Sequence, residues 1–101
     1  MYRKYLAEFI GTFALSLVVL TAVSYPGNLP IAVPLIAGLT LALFVYSIGS
    51  ISGCHINPAI TLGLLSIKKI SFKDALIYIT VQFLGALAAI FVAGTFVMVS
   101  P

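Results

Sequence analysis

The chain is poor in charged residues. Only 7% of its 101 residues are Asp, Glu, Lys or Arg, whereas an average soluble domain has about 25%. No charged residue occurs in residues 9–67 or after residue 74, and 62% of the residues are apolar. A soluble fold cannot cover its surface with such a sequence. The composition therefore indicates an integral membrane protein, whose main partner is the lipid bilayer.

Other scarce residues exclude further classes. The single cysteine, Cys54, cannot form an intramolecular disulfide and gives no information on the redox compartment. The single histidine, His55, has no second ligand beside it, so we predict no metal site and no other cofactor. No nucleophile–base pair or phosphate-binding loop is present, so we predict no catalytic residue and no enzyme. The five basic residues flank apolar segments rather than forming a stripe, which argues against nucleic-acid binding.

Three apolar segments are long enough to span a bilayer, which requires about 20 helical residues. They cover residues 6–24, 31–50 and 75–99. A fourth apolar run, Pro58–Ile67, would extend only about 15 Å as a helix, half of the hydrocarbon thickness. Asn57 is a favoured N-cap residue and Pro58 a favoured first helical residue. We therefore predict one all-α transmembrane domain over residues 1–101, with three transmembrane helices and a re-entrant loop and half-helix at 52–67.

The basic residues predict the topology. Lys and Arg are enriched in cytoplasmic loops, so both basic groups of the chain should lie on the cytoplasmic side. Two spans already separate these groups, and the short run after Asn57 must therefore enter and leave on the same side. The third span, capped by Ser71 or Asp74, then places the C-terminus outside and the N-terminus in the cytoplasm of a multi-pass cell-membrane protein. The basic residues are Arg3, Lys4, Lys68, Lys69 and Lys73.

The half-helix is the candidate solute path. A helix that starts at the membrane midplane directs the positive end of its dipole, about half a charge, into the bilayer. Its free N–H groups and the Asn57 amide are donors, and the backbone of residues 53–56, if extended, offers carbonyl acceptors. Such a lining suits small neutral solutes and repels cations and protons. Without this placement, Asn57-Pro58 would be read as an ordinary turn that starts a helix.

Three polar side chains are candidates for loop support. Glu8 is the only acid inside an apolar span, where a carboxylate costs about 2.5–3.5 kcal/mol and requires a partner. It accepts hydrogen bonds from the loop, or it lies near enough to the helix end to reach the interface. His55 and Gln82 are the other two candidates. Small residues in the spans are expected to permit close helix packing: Gly11, Gly38, Gly85, Ala89 and Gly94.

Together these segments resemble the aquaporin and aquaglyceroporin (major intrinsic protein) family. Residues 7–13 (AEFIGTF) resemble its first-helix signature, residues 52–61 (SGCHINPAIT) its first re-entrant loop, and residues 82–86 (QFLGA) its third-helix motif. The resemblance covers essentially the whole chain. It implies the first of two repeats in a six-span inverted-repeat channel for water or glycerol, tetrameric when complete. It further implies a midplane donor at Asn57, carbonyl acceptors at residues 53–55, and loop support by Glu8 and His55.

The chain departs from the family pattern at the selectivity positions. It has no second Asn-Pro-Ala and no arginine after one, and Ile60 follows its only motif. Ala37, just before Gly38, stands where many members have an aromatic residue. The proposed solute path therefore comprises Gly53, Cys54, His55, Asn57, Pro58, Ala59, Ile60 and Ala37.

One half-helix and three spans cannot enclose a pore. The chain is an N-terminal half of a longer protein, a half-protein that pairs with an inverted second copy, or one that pairs with a separate partner half. The location of all five basic residues on one predicted side favours a single orientation and so disfavours the inverted homodimer. The alternative from another class is a small non-conducting membrane interaction or assembly subunit.

Overall fold

The computed structural model describes residues 2–25 and 31–97, and these residues form an all-helical bundle. The helices are α1 (Tyr2–Val23), α2 (Val33–Ser52), α3 (Pro58–Ser66) and α4 (Phe72–Val92), and α4 continues into a π-helical turn at Ala93–Val97. Three helices, including α4 with its π-turn, are long and apolar enough to cross a membrane, with mean hydropathies of 2.1, 1.9 and 2.2. The predicted fold class, three membrane helices and one half-length helix, is confirmed.

The helix ends differ from the predicted bounds by a few residues. α1 begins at Tyr2, four residues before the apolar run, because a helix can continue through the charged pair that precedes that run. α2 is displaced by two residues at each end, and α3 ends one residue earlier than predicted. Ser71, rather than Asp74, is the N-cap of α4, since its hydroxyl accepts a hydrogen bond from the Asp74 N–H at 3.1 Å. The predicted end of the third span at residue 99 lies outside the described residues.

The helix directions follow from the order of their contacts. Lys4 forms a 2.7 Å ion pair with Asp74. Further along both helices, four residues later in α1 and eight residues later in α4, Glu8 contacts Gln82, so α1 and α4 run parallel. Ser52, the last residue of α2, is hydrogen-bonded to Glu8, so α2 returns antiparallel to α1. The turn between α3 and α4 therefore lies at the same end as the start of α1. All five basic residues are consequently located at one end of the bundle.

Glycine allows the backbones of α1 and α4 to touch. A Cβ atom on Gly85 would lie 2.7 Å from the Phe9 carbonyl oxygen and 3.1 Å from the Phe13 nitrogen. Gly11, on α1, would meet the Ile56 side chain of the loop at 2.5 Å. Ala89 is completely buried on α4. The packing prediction is wrong for two other small residues within the described chain, since a Cβ would meet nothing within 4 Å at Gly38 or Gly94.

Candidate functional site

The loop between α2 and α3 is irregular. Gly53 closes α2 with a φ of 87°, and its N–H donates to the Gly49 carbonyl oxygen at 2.8 Å. Two non-glycine residues, Cys54 and Ile56, also have positive φ values, of 50° and 40°. The backbone of residues 53–56 is therefore not continuously extended. The chain instead turns repeatedly, because several of its N–H groups are directed at acceptors inside the bundle.

The principal acceptor is the carboxylate of Glu8. Its side chain is completely buried and lies in α1 beneath the loop. Oε2 accepts from the Ser52 hydroxyl at 2.7 Å and from the His55 N–H at 2.9 Å. Oε1 accepts from the Ile56 N–H at 2.7 Å and from Gln82 Nε2 at 2.9 Å. Four donors therefore converge on one carboxylate, and each of its two oxygens accepts two hydrogen bonds.

A second set of hydrogen bonds joins α3 to the same cluster. Gln82 Nε2 also contacts Thr61 Oγ1 at 3.0 Å, and the Thr61 hydroxyl lies 2.9 Å from Nδ1 of His55. The Tyr78 hydroxyl donates to the Ser52 carbonyl oxygen at 2.7 Å. The end of α2, the loop and the first turn of α3 are therefore held by side chains of α1 and α4. Such a buried and mutually bonded network favours one loop conformation.

α3 begins as its sequence predicts. Asn57 Oδ1 accepts a hydrogen bond from the Ala59 N–H at 2.8 Å, and Pro58 occupies the first helical position. The cap uses the carbonyl oxygen of the Asn57 side chain and leaves its NH2 group free of the helix. Asn57 itself is exposed on the surface of this chain. The start of α3 therefore presents polar donors outward rather than into the bundle.

The contact with α4 fixes the depth of this helix start. Thr61, in the first turn of α3, lies beside Gln82, which is ten residues into α4. At 1.5 Å per residue this position is about 15 Å along α4, close to half the thickness of a hydrocarbon core. α3 then runs back toward the basic end of the bundle. Its N-terminus is thus located near the middle of the neighbouring span.

The structure brings Glu8, His55 and Gln82 together, but it does not bring Ala37 to the same place. Ala37 precedes Ser52 by fifteen helical residues, or about 22 Å along α2. Cys54 and His55 are buried, with 5% and 7% of their surface exposed. The remaining candidate path residues are exposed or half-buried at the loop and on α3: Gly53, Asn57, Pro58, Ala59 and Ile60.

Sequence reasoning did not single out Ser52, Thr61 or Tyr78 as site residues. Tyr78 precedes Gln82 by one helical turn and so lies on the same face of α4, which was the one available signal. Ser52 and Thr61 gave no signal, because hydroxyls in apolar helices usually bond to their own backbone. Within residues 2–25 and 31–97, no group of three or more His, Cys, Asp or Glu side chains could hold a metal ion.

The architecture defines a multi-pass membrane protein in which a buried polar cluster fixes a half-length helix. The family model described as "Major intrinsic protein" matches residues 1–100, and the chain belongs to that family. Members of the family are membrane channels rather than enzymes.

Curated relatives agree with this assignment. The chain is 37% identical to "Aquaporin AqpM" of Methanothermobacter thermautotrophicus over 89% of its length, and 45% identical to "Aquaporin Z" of Rhodopseudomonas palustris over 86%. It is 41% identical over 86% of its length to "Glycerol uptake facilitator protein-like 6" of Lactiplantibacillus plantarum. These alignments cover 46%, 39% and 40% of the respective relatives. The chain therefore spans less than half the length of the curated relatives it matches.

Proposed function

We propose that this chain forms one half of a passive channel for water or small neutral solutes such as glycerol. The observation that carries the proposal is the start of α3, which lies about halfway along the neighbouring span and presents Asn57 outward. In hydrocarbon, the exposed NH2 group of Asn57 would lack a hydrogen-bond partner. Its position is stable if it faces a water-filled path. The proposed solute therefore passes the Asn57 end of α3.

The geometry supports neutral-solute passage and cation exclusion. The N-terminus of α3 carries the positive end of the helix dipole, which repels cations and protons. The Asn57 NH2 group can donate to a passing oxygen while the side-chain carbonyl holds the helix cap. The Glu8 cluster fixes the loop from behind, so that these donors keep their positions. Glu8, His55 and Gln82 are thus proposed as supporting residues rather than solute ligands.

Completion of the path requires a second repeat or a partner half, and we propose a tetramer for the complete protein. Support comes from the exposed start of α3 and from relatives more than twice as long as the aligned segment. The location of all basic residues at one end supports a single orientation, with the N-terminus cytoplasmic and the C-terminus external. This single orientation favours a partner half over an inverted second copy of this chain.

The test is solute flux through the protein as its own gene produces it. The intact mass is measured first, to establish whether a second repeat is present. The protein is then reconstituted into vesicles. Vesicle shrinkage after an osmotic step is measured with an impermeant solute and with glycerol, and proton leak is measured with a proton-sensitive dye. We expect solute flux above protein-free vesicles and no proton leak.

The informative variant is Asn57→Asp. Aspartate remains a good N-cap, so α3 should form, while a donor is replaced by a negative charge at the proposed constriction. We expect lower neutral-solute flux and a measurable cation or proton leak. Ser66→Ala, at the opposite end of α3, is the matched control and should leave flux unchanged. If vesicles with fully incorporated wild-type protein show only the solute flux of protein-free vesicles, the result would instead indicate the non-conducting membrane subunit.

A further inference from the structure

The backbone N–H groups of the loop between α2 and α3 donate into the bundle. Those of residues 53–56 bond to the Gly49 carbonyl oxygen, the Ser52 hydroxyl and the two carboxylate oxygens of Glu8. The peptide bonds of this loop are all trans, and the C=O and N–H groups of a planar trans peptide point in opposite directions. The two peptide units that bond to Glu8 therefore direct their carbonyl groups away from it, toward the other side of the loop.

The carbonyl group of Ser52 is the exception, because it faces a donor inside the bundle. The Tyr78 hydroxyl donates to this oxygen at 2.7 Å. Both residues are buried, with 7% of Ser52 and 4% of Tyr78 exposed. The Ser52 hydroxyl is also fixed, since it donates to Glu8 at 2.7 Å and accepts from the Cys54 N–H at 3.1 Å. The peptide group at which the loop begins is therefore held by a side chain of α4.

The ring of Tyr78 has neighbours on two sides that fix its direction. The centroid of the His55 ring lies 4.9 Å from that of Tyr78, and the two rings are tilted by 58°. The Tyr5 ring lies 6.0 Å away and is nearly perpendicular, at 85°, which is a favourable arrangement for two aromatic rings. Tyr5 is itself held by its hydroxyl, which donates to Asp74 at 2.6 Å. These contacts direct the Tyr78 hydroxyl toward Ser52.

We propose that Tyr78 is a positioning residue of the channel. Its hydroxyl holds the Ser52 carbonyl oxygen inside the bundle, so that the acceptors facing the solute begin at Gly53. This inference rests on the proposed function. Tyr78 lies about 9 Å along α4, one helical turn nearer the basic end than Gln82. The peptide group that it holds is thus on the basic side of the Asn57 constriction, where solute enters or leaves the path.

Removal of the hydroxyl should change the path in a defined direction. A buried carbonyl oxygen without a donor is unfavourable, and water in the path is the available replacement. In Tyr78→Phe we expect the Ser52 peptide group to turn toward that water. The turned group narrows the path, and glycerol is larger than water. Glycerol flux should therefore fall more than water flux.

The experiment compares Tyr78→Phe with wild type in the protein as its own gene produces it, reconstituted into vesicles. Glycerol flux and water flux are measured on the same vesicles, and the fluxes of protein-free vesicles are subtracted. We expect the ratio of glycerol flux to water flux to fall by about two- to five-fold, up to the factor that one hydrogen bond supplies. Loss of folded protein lowers both fluxes equally, so a merely structural role of Tyr78 would leave this ratio unchanged.

Matched variants show whether the effect belongs to this tyrosine. Tyr46→Phe removes the same atom from a tyrosine of α2 that is 91% exposed in this chain, and it should leave the ratio unchanged. An equal fall in both variants would overturn the proposal. Tyr5→Leu removes the ring that supports Tyr78 but keeps the Tyr78 hydroxyl. It should lower the ratio by a smaller factor, and an unchanged ratio would overturn the support assigned to Tyr5.

Thiol labelling measures the position of the loop without conduction. Cys54 lies two residues after Ser52 and is buried. We expect maleimide to label Cys54 about five-fold faster in Tyr78→Phe than in wild type, the factor that corresponds to one lost hydrogen bond. Tyr46→Phe should label at the wild-type rate. An unchanged labelling rate in Tyr78→Phe would show that the hydroxyl does not hold the loop, and would overturn the proposal.

The outcomes separate this inference from the proposed function. Wild-type flux no higher than that of protein-free vesicles would overturn both. Wild-type flux above that level, together with an unchanged glycerol-to-water ratio in Tyr78→Phe, would overturn this inference alone.

Discussion

The side-chain amide of Gln82 in α4 donates a hydrogen bond to Glu8 Oε1 in α1 at 2.9 Å, across a separation of 74 residues. The same nitrogen contacts Thr61 of α3, and the same carboxylate accepts the N–H groups of His55 and Ile56. The two parallel helices therefore hold the loop and the half-helix through shared atoms. Substitutions within this cluster should show strongly non-additive effects.

Glu8→Gln should disorganise the loop. Glutamine retains one acceptor oxygen. Its NH2 group would face two of the four donors that form hydrogen bonds with Glu8. Hydrogen bonds to a charged group contribute about 1.5–3 kcal/mol each, so we expect a loss of about 3 kcal/mol or more in the free energy of unfolding. Equilibrium unfolding in mixed micelles, followed by circular dichroism, measures this change.

The control for that substitution is Asp74→Asn, which removes the other carboxylate of the chain. Asp74 and Lys4 are partly exposed, and an ion pair in such a position contributes little to the free energy of unfolding. A similar loss in both variants would contradict the central position assigned to Glu8.

Gly85→Ala should separate α1 from α4. The added Cβ would lie 2.7 Å from the Phe9 carbonyl oxygen, which is backbone and cannot rotate away. We expect a net destabilisation of about 1–3 kcal/mol, the usual range for overpacking. Gly63→Ala is the control, because a Cβ there meets nothing within 4 Å, and alanine favours a helix over glycine by about 1 kcal/mol. We expect the free energy of unfolding to fall in Gly85→Ala and to rise in Gly63→Ala. An equal rise in both variants would exclude the close contact between α1 and α4.

Gly53→Ala tests the left-handed residue that ends α2. At a φ of 87° a Cβ is strained, and it would lie 3.1 Å from Nε2 of His55. We expect the free energy of unfolding to fall by about 1–2 kcal/mol. Gly38→Ala, also on α2 but in open space, should not be destabilised. Proteolysis of the loop in micelles offers a second readout, and resistance equal to wild type would contradict the prediction.

Cys54 should react slowly with thiol reagents. Only 5% of its surface is exposed, although its neighbours Gly53 and Asn57 are accessible. We expect maleimide labelling in micelles to proceed at least ten-fold more slowly than in denatured protein. Ser50→Cys in a Cys54→Ser background places a thiol on an exposed position two residues before the end of α2. Equal labelling rates for the two thiols would show that the loop opens.

The sequence predicted the architecture well because its strongest signals are local. Long apolar runs define the spans, and Asn57-Pro58 supplies both the cap and the first residue of α3. The loop conformation was less predictable. Positive φ values are uncommon for residues such as Cys54 and Ile56. Here they accompany hydrogen bonds from the N–H groups of His55 and Ile56 to Glu8, more than forty residues away. Such a conformation depends on tertiary contacts that local patterns do not contain.

The buried face of each span was equally hard to predict. The spans are apolar on all sides, so no hydrophobic periodicity distinguishes protein from lipid. Thr61 illustrates the same difficulty for polar residues. Thr40 and Ser47 bond to carbonyl oxygens one turn earlier in their own helix, whereas Thr61 bonds to Gln82 and contacts His55. Nothing in the residue type distinguishes these two uses of a hydroxyl.

The parallel arrangement of α1 and α4 has a consequence for biosynthesis. Glu8 enters the bilayer first, but its partner Gln82 is synthesised only after the loop and α3 have been made. Until the last span is inserted, the carboxylate has part of its donor set and Thr61 lacks its amide contact. The re-entrant segment should therefore reach its final shape late, as α4 docks against α1. Any pause in synthesis before Gln82 would leave that segment the least stable part of the nascent protein.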